Sequence, residues 1–62
     1  MGRFHIFSDA GGTLRWRLVA PNGKILADPE ESYTSKQSCL ERIGAVKSHA
    51  PGAEIVTDGT TI

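Results

Sequence analysis

The residues best equipped for chemistry lie in two short runs, "RFHIF" (residues 3–7) and "LRWRLV" (residues 14–19). Each run mixes basic groups with aromatic rings. Single-stranded nucleic acid binders use that mixture, with cations for phosphate and rings for base stacking. Strand alternation decides which groups can act together, because successive side chains point to opposite faces. Arg3, His5 and Phe7 share one face of the first run, and Phe4 and Ile6 share the other. In the second run Arg15, Arg17 and Val19 share a face, while Leu14, Trp16 and Leu18 form the opposite, apolar one. The candidate binding face is therefore Arg3, His5, Phe7, Arg15, Arg17 and Val19. Trp16 belongs to the core. The competing reading is a solvated face whose arginine stems cover Phe7 and Val19. The balance of seven basic against seven acidic residues favours that reading, since it gives no overall pull toward polyanions. A protein interface is a third use of the same face.

A second candidate lies at Thr34, Ser35 and Lys36, where free amides at a helix start could hold an anion. Lys36 is odd there, because the helix dipole disfavours a cation in the first turn. Lys36 and Lys47 both project near the middle of an apolar stripe, and each is expected to snorkel toward Glu30, Glu31 or Glu54. Cys39 sits in that stripe and reads as a small core hydrophobe, since a redox thiol needs exposure and a basic neighbour. His5 lacks the ordered acid and nucleophile of a catalytic histidine. Asp9 with Gly11 and Gly12 lacks the spacing and lysine of a phosphate loop, and reads as a hairpin turn. No carboxylate pair stands out for acid/base work. No catalytic residues, cofactor or metal are expected, and the protein is expected not to be an enzyme.

The elements that position these groups follow from pattern. "RFHIFS" and "LRWRLV" are strands joined by "DAGG", where glycines supply positive φ. "PNG" closes the second strand, with Pro21 and Asn22 central and Gly23 left-handed after them. "KILA" is a third strand of open register: Leu26 shares the Trp16 face if Ala20 faces Lys24, and Ile25 with Ala27 do so after a one-residue slip. A helix follows. Thr34 as N-cap with Gln37 fits a capping box, and Ser35 is a rival N-cap. Cys39, Leu40, Ile43, Val46 and Ala50 recur at helical spacing, and Pro51-Gly52 stops the run. Gly44 inside the helix costs about 1 kcal/mol relative to alanine, a cost that close approach to the sheet or a partner helix would justify. "AEIVTD" reads as a short final strand and residues 59–62 as a tail, leaving 1–58 as one domain.

The fold expected is α+β: an antiparallel three-stranded meander, one helix on the Phe4–Ile6–Leu14–Trp16–Leu18 face, and a C-terminal strand. A chain of 62 residues buries only about 60% of the surface its unfolded form exposes. Small domains gain the missing stability from disulfides, metals or association. One cysteine excludes an internal disulfide, and two histidines with no cysteine partners give no zinc spacing. Association remains, and the final strand is the element to pair with or exchange into a second copy. No apolar run reaches the roughly 20 residues of a membrane span, and "MGRFHIFSDA" lacks a signal-peptide core. A cytoplasmic protein with a reduced thiol is expected, its partner itself, with nucleic acid or another protein as further partners.

"FHIFSDAGGTLRWRLVAPNGKIL", then "YTSKQSCLERI" and "VKSHAPGAEIV", resembles the YegP-like proteins, small bacterial domains of unknown function. Their pattern runs from an F-x-I strand and acidic turn to a strand alternating arginine with an aromatic, then A-x-N-G, G-Y-x-S-K, a helix ending near V-K, and a short strand. Arg15 to Leu18, Asn22-Gly23 and Tyr33 to Lys36 carry the resemblance most specifically. Ser32 departs from it, standing where glycine precedes the tyrosine. The resemblance implies a three-strand, helix, one-strand unit. It further implies that two units, as a homodimer or tandem repeat, share one sheet and exchange C-terminal strands. It supplies no catalytic residues.

Overall fold

The computed structural model describes residues 1–58 and the backbone of Thr60–Thr61. Strands β1 (Arg3–Ser8), β2 (Leu14–Val19) and β3 (Ile25–Ala27) form one antiparallel sheet in the order β1-β2-β3. Helix α1 (Lys36–His49) follows, then a short 3-10 turn at Ala50–Gly52. Strands β4 (Val56–Thr57) and β5 (Thr60–Thr61) form a separate two-stranded ribbon. The α+β class and the meander with its helix agree with the sequence reading.

Alternation places β1 against β2 in the register Phe4↔Leu18, Ile6↔Trp16 and Phe7↔Arg15. The connecting loop is organised by Asp9. Its carboxylate accepts from the Gly11 and Thr13 amides at 3.0 and 3.1 Å and from the Thr13 hydroxyl at 2.9 Å. Gly12 alone takes the positive φ, at 81°. The Thr13 hydroxyl, ahead of the backbone amides, holds the Asp9 carboxyl below its ordinary range.

The "PNG" turn forms as expected: the Gly23 amide donates to the Ala20 carbonyl at 2.9 Å, and Gly23 has φ 88°. The third strand takes a path between the two registers left open. The Ala20 amide does donate to the Lys24 carbonyl, at 2.8 Å. A bulge then intervenes, pairing Val19 with Ile25 but Leu18 with Ala27. Leu26 is the extra residue. Ala27 therefore joins the core, while Ile25 and Leu26 remain 53% and 62% exposed.

Past β3 the chain returns to β2. Tyr33 and Leu14 exchange amide-to-carbonyl hydrogen bonds, both 2.8 Å. Both Leu14 groups point to Tyr33, so Tyr33 lies on the edge of β2 away from β1. Ser35, not Thr34, is the N-cap: its backbone is extended and its hydroxyl accepts from the Ser38 amide at 3.1 Å. The capping-box expectation at Thr34 is thereby corrected. The serine pair Ser35–Ser38 closes the helix start instead.

Trp16, Tyr33, Cys39 and Ile43 are the buried core, with Phe4, Ile6, Leu14, Leu18, Ala27 and Val46 packed around it. Phe4 meets Trp16 edge-on at 5.4 Å. Two members of the expected helix stripe stay out: Leu40 is 49% exposed, and Ala50 is exposed. Gly44 also lacks the expected reason in its own chain, since a Cβ there meets nothing within 4 Å. The helix does not press its backbone on the sheet at that point.

The C-terminal segment departs most from the simple strand expected. β4 does not join the main sheet of its own chain; it turns back at Asp58 (φ 41°) and pairs with β5. The tail expected at 59–62 includes Gly59 and Ile62, which lie outside the described residues, while Thr60–Thr61 pair with β4. The radius of gyration is 13.5 Å. A compact chain of this length would have about 10.5 Å. The ribbon is an arm, with Ile55 and Val56 63% and 57% exposed.

Candidate functional site

The sheet face opposite the helix collects the residues chosen from the sequence. Arg3 and His5 are exposed, while Phe7, Arg15, Arg17 and Val19 are half-buried. Cross-strand pairing sets Arg3 beside Val19, His5 beside Arg17 and Phe7 beside Arg15. Phe7 is the centre of the group. The Arg17 guanidinium carbon lies 4.2 Å from its ring centroid and that of Arg15 5.6 Å, while the His5 ring stands tilted at 6.1 Å. These are cation–π distances for both arginines.

Sequence reasoning missed the group that organises this face. Asp28, just beyond β3, reaches Arg15 at 3.0 Å and Arg17 at 3.9 Å. The same Arg15 nitrogen donates to the Pro29 carbonyl at 2.9 Å. The signal was parity: once Ala27 faces the core, Asp28 faces the arginines. That parity depends on the bulge at Leu26. One carboxylate thus offsets two guanidiniums that already cover Phe7. Their Nε–H groups are buried with no partner among the described residues. Both arginines are turned into the face, which leaves Arg3 and His5 as its freely exposed basic groups. Trp16 lies on the other side, in the core, as its alternation required.

The helix-start candidate does not assemble. Ser35 is engaged in capping, Thr34 takes no part in the cap, and Lys36 is exposed. The carboxylates expected to receive Lys36 and Lys47 do not do so. Among the described residues neither lysine has one within 4.0 Å, and Glu31 instead pairs with Arg42 at 2.9 Å. Glu31 also accepts the Tyr33 hydroxyl. Burial, reinforced by that carboxylate, raises the Tyr33 phenol above its ordinary value. Burial raises the Cys39 thiol likewise, and disfavours the reactive thiolate. Among the described residues no cluster of three His, Cys, Asp or Glu is placed to hold a metal. No helix there is long and apolar enough to cross a membrane.

The family model described as "Domain of unknown function (DUF1508)" matches residues 9–56. The chain belongs to this family, the YegP-like small domains. A UPF0339 protein of Methanosarcina acetivorans is 41% identical over 56 residues, covering 90% of this chain and 95% of that one. The solution structure of a protein from Haloferax volcanii, 46% identical, superimposes with a TM-score of 0.80 over 90% of this chain and 93% of that chain. Archaeal relatives such as these widen the bacterial range that the resemblance implied. A third relative, a UPF0339 protein in the ptx operon 5′ region of Stutzerimonas stutzeri, is 45% identical; the match covers 81% of this chain but only 44% of that one. That YegP-like relative is long enough for about two such units.

Proposed function

We propose that this YegP-like chain is a non-enzymatic interaction module that works as a homodimer, with its C-terminal strand contributed to a sheet shared between copies. The observation that carries this reading is the arm. β4 is already extended, carries exposed Val56 with exposed Ile55 just before it, and pairs with no strand of the main sheet in its own chain. The sheet in turn ends in an unpaired edge at β1 among the described residues. Open edges and exposed apolar strands favour pairing with another chain. The double-length relative from Stutzerimonas stutzeri adds support, since one chain there has room for both units. The single buried thiol suits a reducing, cytoplasmic setting. Size-exclusion chromatography with light scattering tests the reading: twice the chain mass is expected, and a stable monomer at micromolar concentration would refute it.

Binding of nucleic acid or another anion through the outer face is the weaker alternative. Arg3, Arg15 and Arg17 offer positive charge on one surface, but Asp28 offsets part of it. Retention of the parent protein on a nucleic-acid column at low salt, lost in Arg15→Glu/Arg17→Glu, would support it. No retention at low salt would end it.

A further inference from the structure

The bulge in β3 changes what the outer sheet face carries. In a regular strand Ile25 and Leu26 would point to opposite faces, and one of them would reach the core. Here both point out. Ile25 pairs with Val19, so it shares the face of Val19 and the arginines. Leu26 precedes Ala27, which packs on the core, so alternation turns Leu26 away from the core as well. Both stay more than half exposed. Bulges re-aim side chains in this way. A bulge that served only to protect a sheet edge would do so equally well with polar residues. Val19, Ile25 and Leu26 thus form an aliphatic corner on the outer face, and neighbouring exposed apolar groups of this kind mark interaction sites.

Basic groups frame this corner. Cross-strand pairing makes Arg3, Val19 and Ile25 one row across the three strands. Lys24 stands next to Ile25 where the turn enters β3. Arg3 and Lys24 are both exposed, and among the described residues neither has a carboxylate within 4.0 Å. The next row is already engaged: Asp28 holds Arg15 and Arg17, whose guanidiniums cover Phe7. Trp16 and Tyr33 are buried, so the face has no free phenyl or indole ring on which a base could stack. Phosphate gains nothing from aliphatic neighbours. An anionic membrane is also a poorer fit, because seven basic residues against seven acidic ones give no overall attraction to it. Aliphatic groups with carboxylates beside them are the chemistry of a protein chain.

We infer that the Val19–Ile25–Leu26 corner docks an acidic, aliphatic segment of another protein, with apolar side chains against Ile25 and Leu26 and carboxylates toward Arg3 and Lys24. This rests on the interaction-module reading and names its surface; it does not depend on the homodimer. Recognition of acidic motifs by basic groups is a recurring mode. The buried aliphatic anchor supplies most of the affinity, and the charges supply orientation and speed of encounter. Arg3 and Ile25 stand two strands apart, about 10 Å. About three residues of extended peptide cover that distance.

Selection of a random dodecapeptide display library on the immobilised full-length chain tests the surface. The recovered peptides are expected to place Leu, Ile or Val within about three residues of Asp or Glu. Ile25→Ser/Leu26→Ser is expected to weaken a recovered peptide about ten-fold or more. Arg3→Glu is expected to weaken it about five-fold, with the difference shrinking at high salt. Leu40→Ser removes a comparably exposed leucine from α1 and should leave binding unchanged. Circular dichroism and light scattering check that each variant keeps the fold and mass of the parent. Recovered peptides without acidic residues, or an empty selection, would overturn the docking surface. Peptides indifferent to the corner substitutions would overturn it too, but leave an interaction module standing. A change of mass in Ile25→Ser/Leu26→Ser would assign the corner to self-association, and sedimentation with phosphatidylserine vesicles in place of peptide binding would assign it to a membrane; either overturns the proposal. The homodimer is judged separately, by the mass of the parent chain.

Discussion

The seam between β2 and α1 and the β4–β5 arm are built from similar apolar residues with opposite outcomes. In the seam, Trp16, Tyr33, Cys39 and Ile43 are all less than a tenth exposed. In the arm, Ile55 and Val56 keep more than half of their surface in water. Hydrophobicity alone does not separate them. The seam has a facing element within its own chain, whereas the arm has only a short ribbon partner. What separates the two regions is whether the chain itself supplies a surface to pack against.

Trp16→Ala should have the largest effect. Truncating a buried tryptophan costs about 3–5 kcal/mol, comparable to the whole stability of a domain this small. Urea denaturation followed by circular dichroism should show the folded baseline largely lost at room temperature. Retention of most of the stability would mean that the seam is not the centre of the core. Deleting residues 53–62 attacks the other region. The truncated chain should elute as a monomer, and its melting temperature should no longer rise with concentration, as it does for an associating protein. If the deletion leaves mass and stability unchanged, the arm has no role in assembly.

A smaller effect sharpens the account of the seam's entry point. Ser35→Ala should cost about 1 kcal/mol through loss of the cap, while Thr34→Ala should change stability by less than about 0.5 kcal/mol. Equal losses from the two substitutions would return Thr34 to the N-cap. The smallest effect is alkaline. Tyr33 and Cys39 both titrate above their ordinary values when folded, Tyr33 through burial and Glu31, Cys39 through burial. Their unfolded counterparts ionise first, near pH 8.5 for the thiol and about 10 for the phenol. The stability they contribute is therefore full below those values and falls as pH rises through them. Denaturation midpoints at pH 7, 9 and 11 should decline in that order, and Cys39→Ala should remove the earlier part of the decline.

Local periodicity made much of this legible. The two faces of β1 and β2, the "PNG" turn, and the helix with Cys39 and Ile43 inward follow from alternation and helical spacing, which operate over a few residues. The parts that were not legible depend on distant pairing. The bulge that strands Leu26 is set by how β3 meets β2, and Asp28 finds Arg15 and Arg17 only after that bulge. Tyr33 bridging Leu14 joins residues that no local pattern connects. The turn at Asp58 is different, because Asp-Gly between short strands is itself a hairpin signal. Reading residues 59–62 as a tail passed over it. Of the candidate sites, the outer face assembles and the helix start does not. Ser35 satisfies the Ser38 amide, one of those an anion would otherwise meet.

The complete enclosure of Cys39 gives the molecule a built-in reporter. Its thiol is the chain's only one, and no part of its surface reaches solvent. A thiol-reactive reagent can label it only during excursions that expose the core, so the labelling rate measures how often the seam opens. In the proposed homodimer, a partner that binds only the folded chain suppresses those excursions, so the rate should slow as protein concentration rises. One small sulfur atom would thereby turn the proposed association through the arm into a reaction that can be timed.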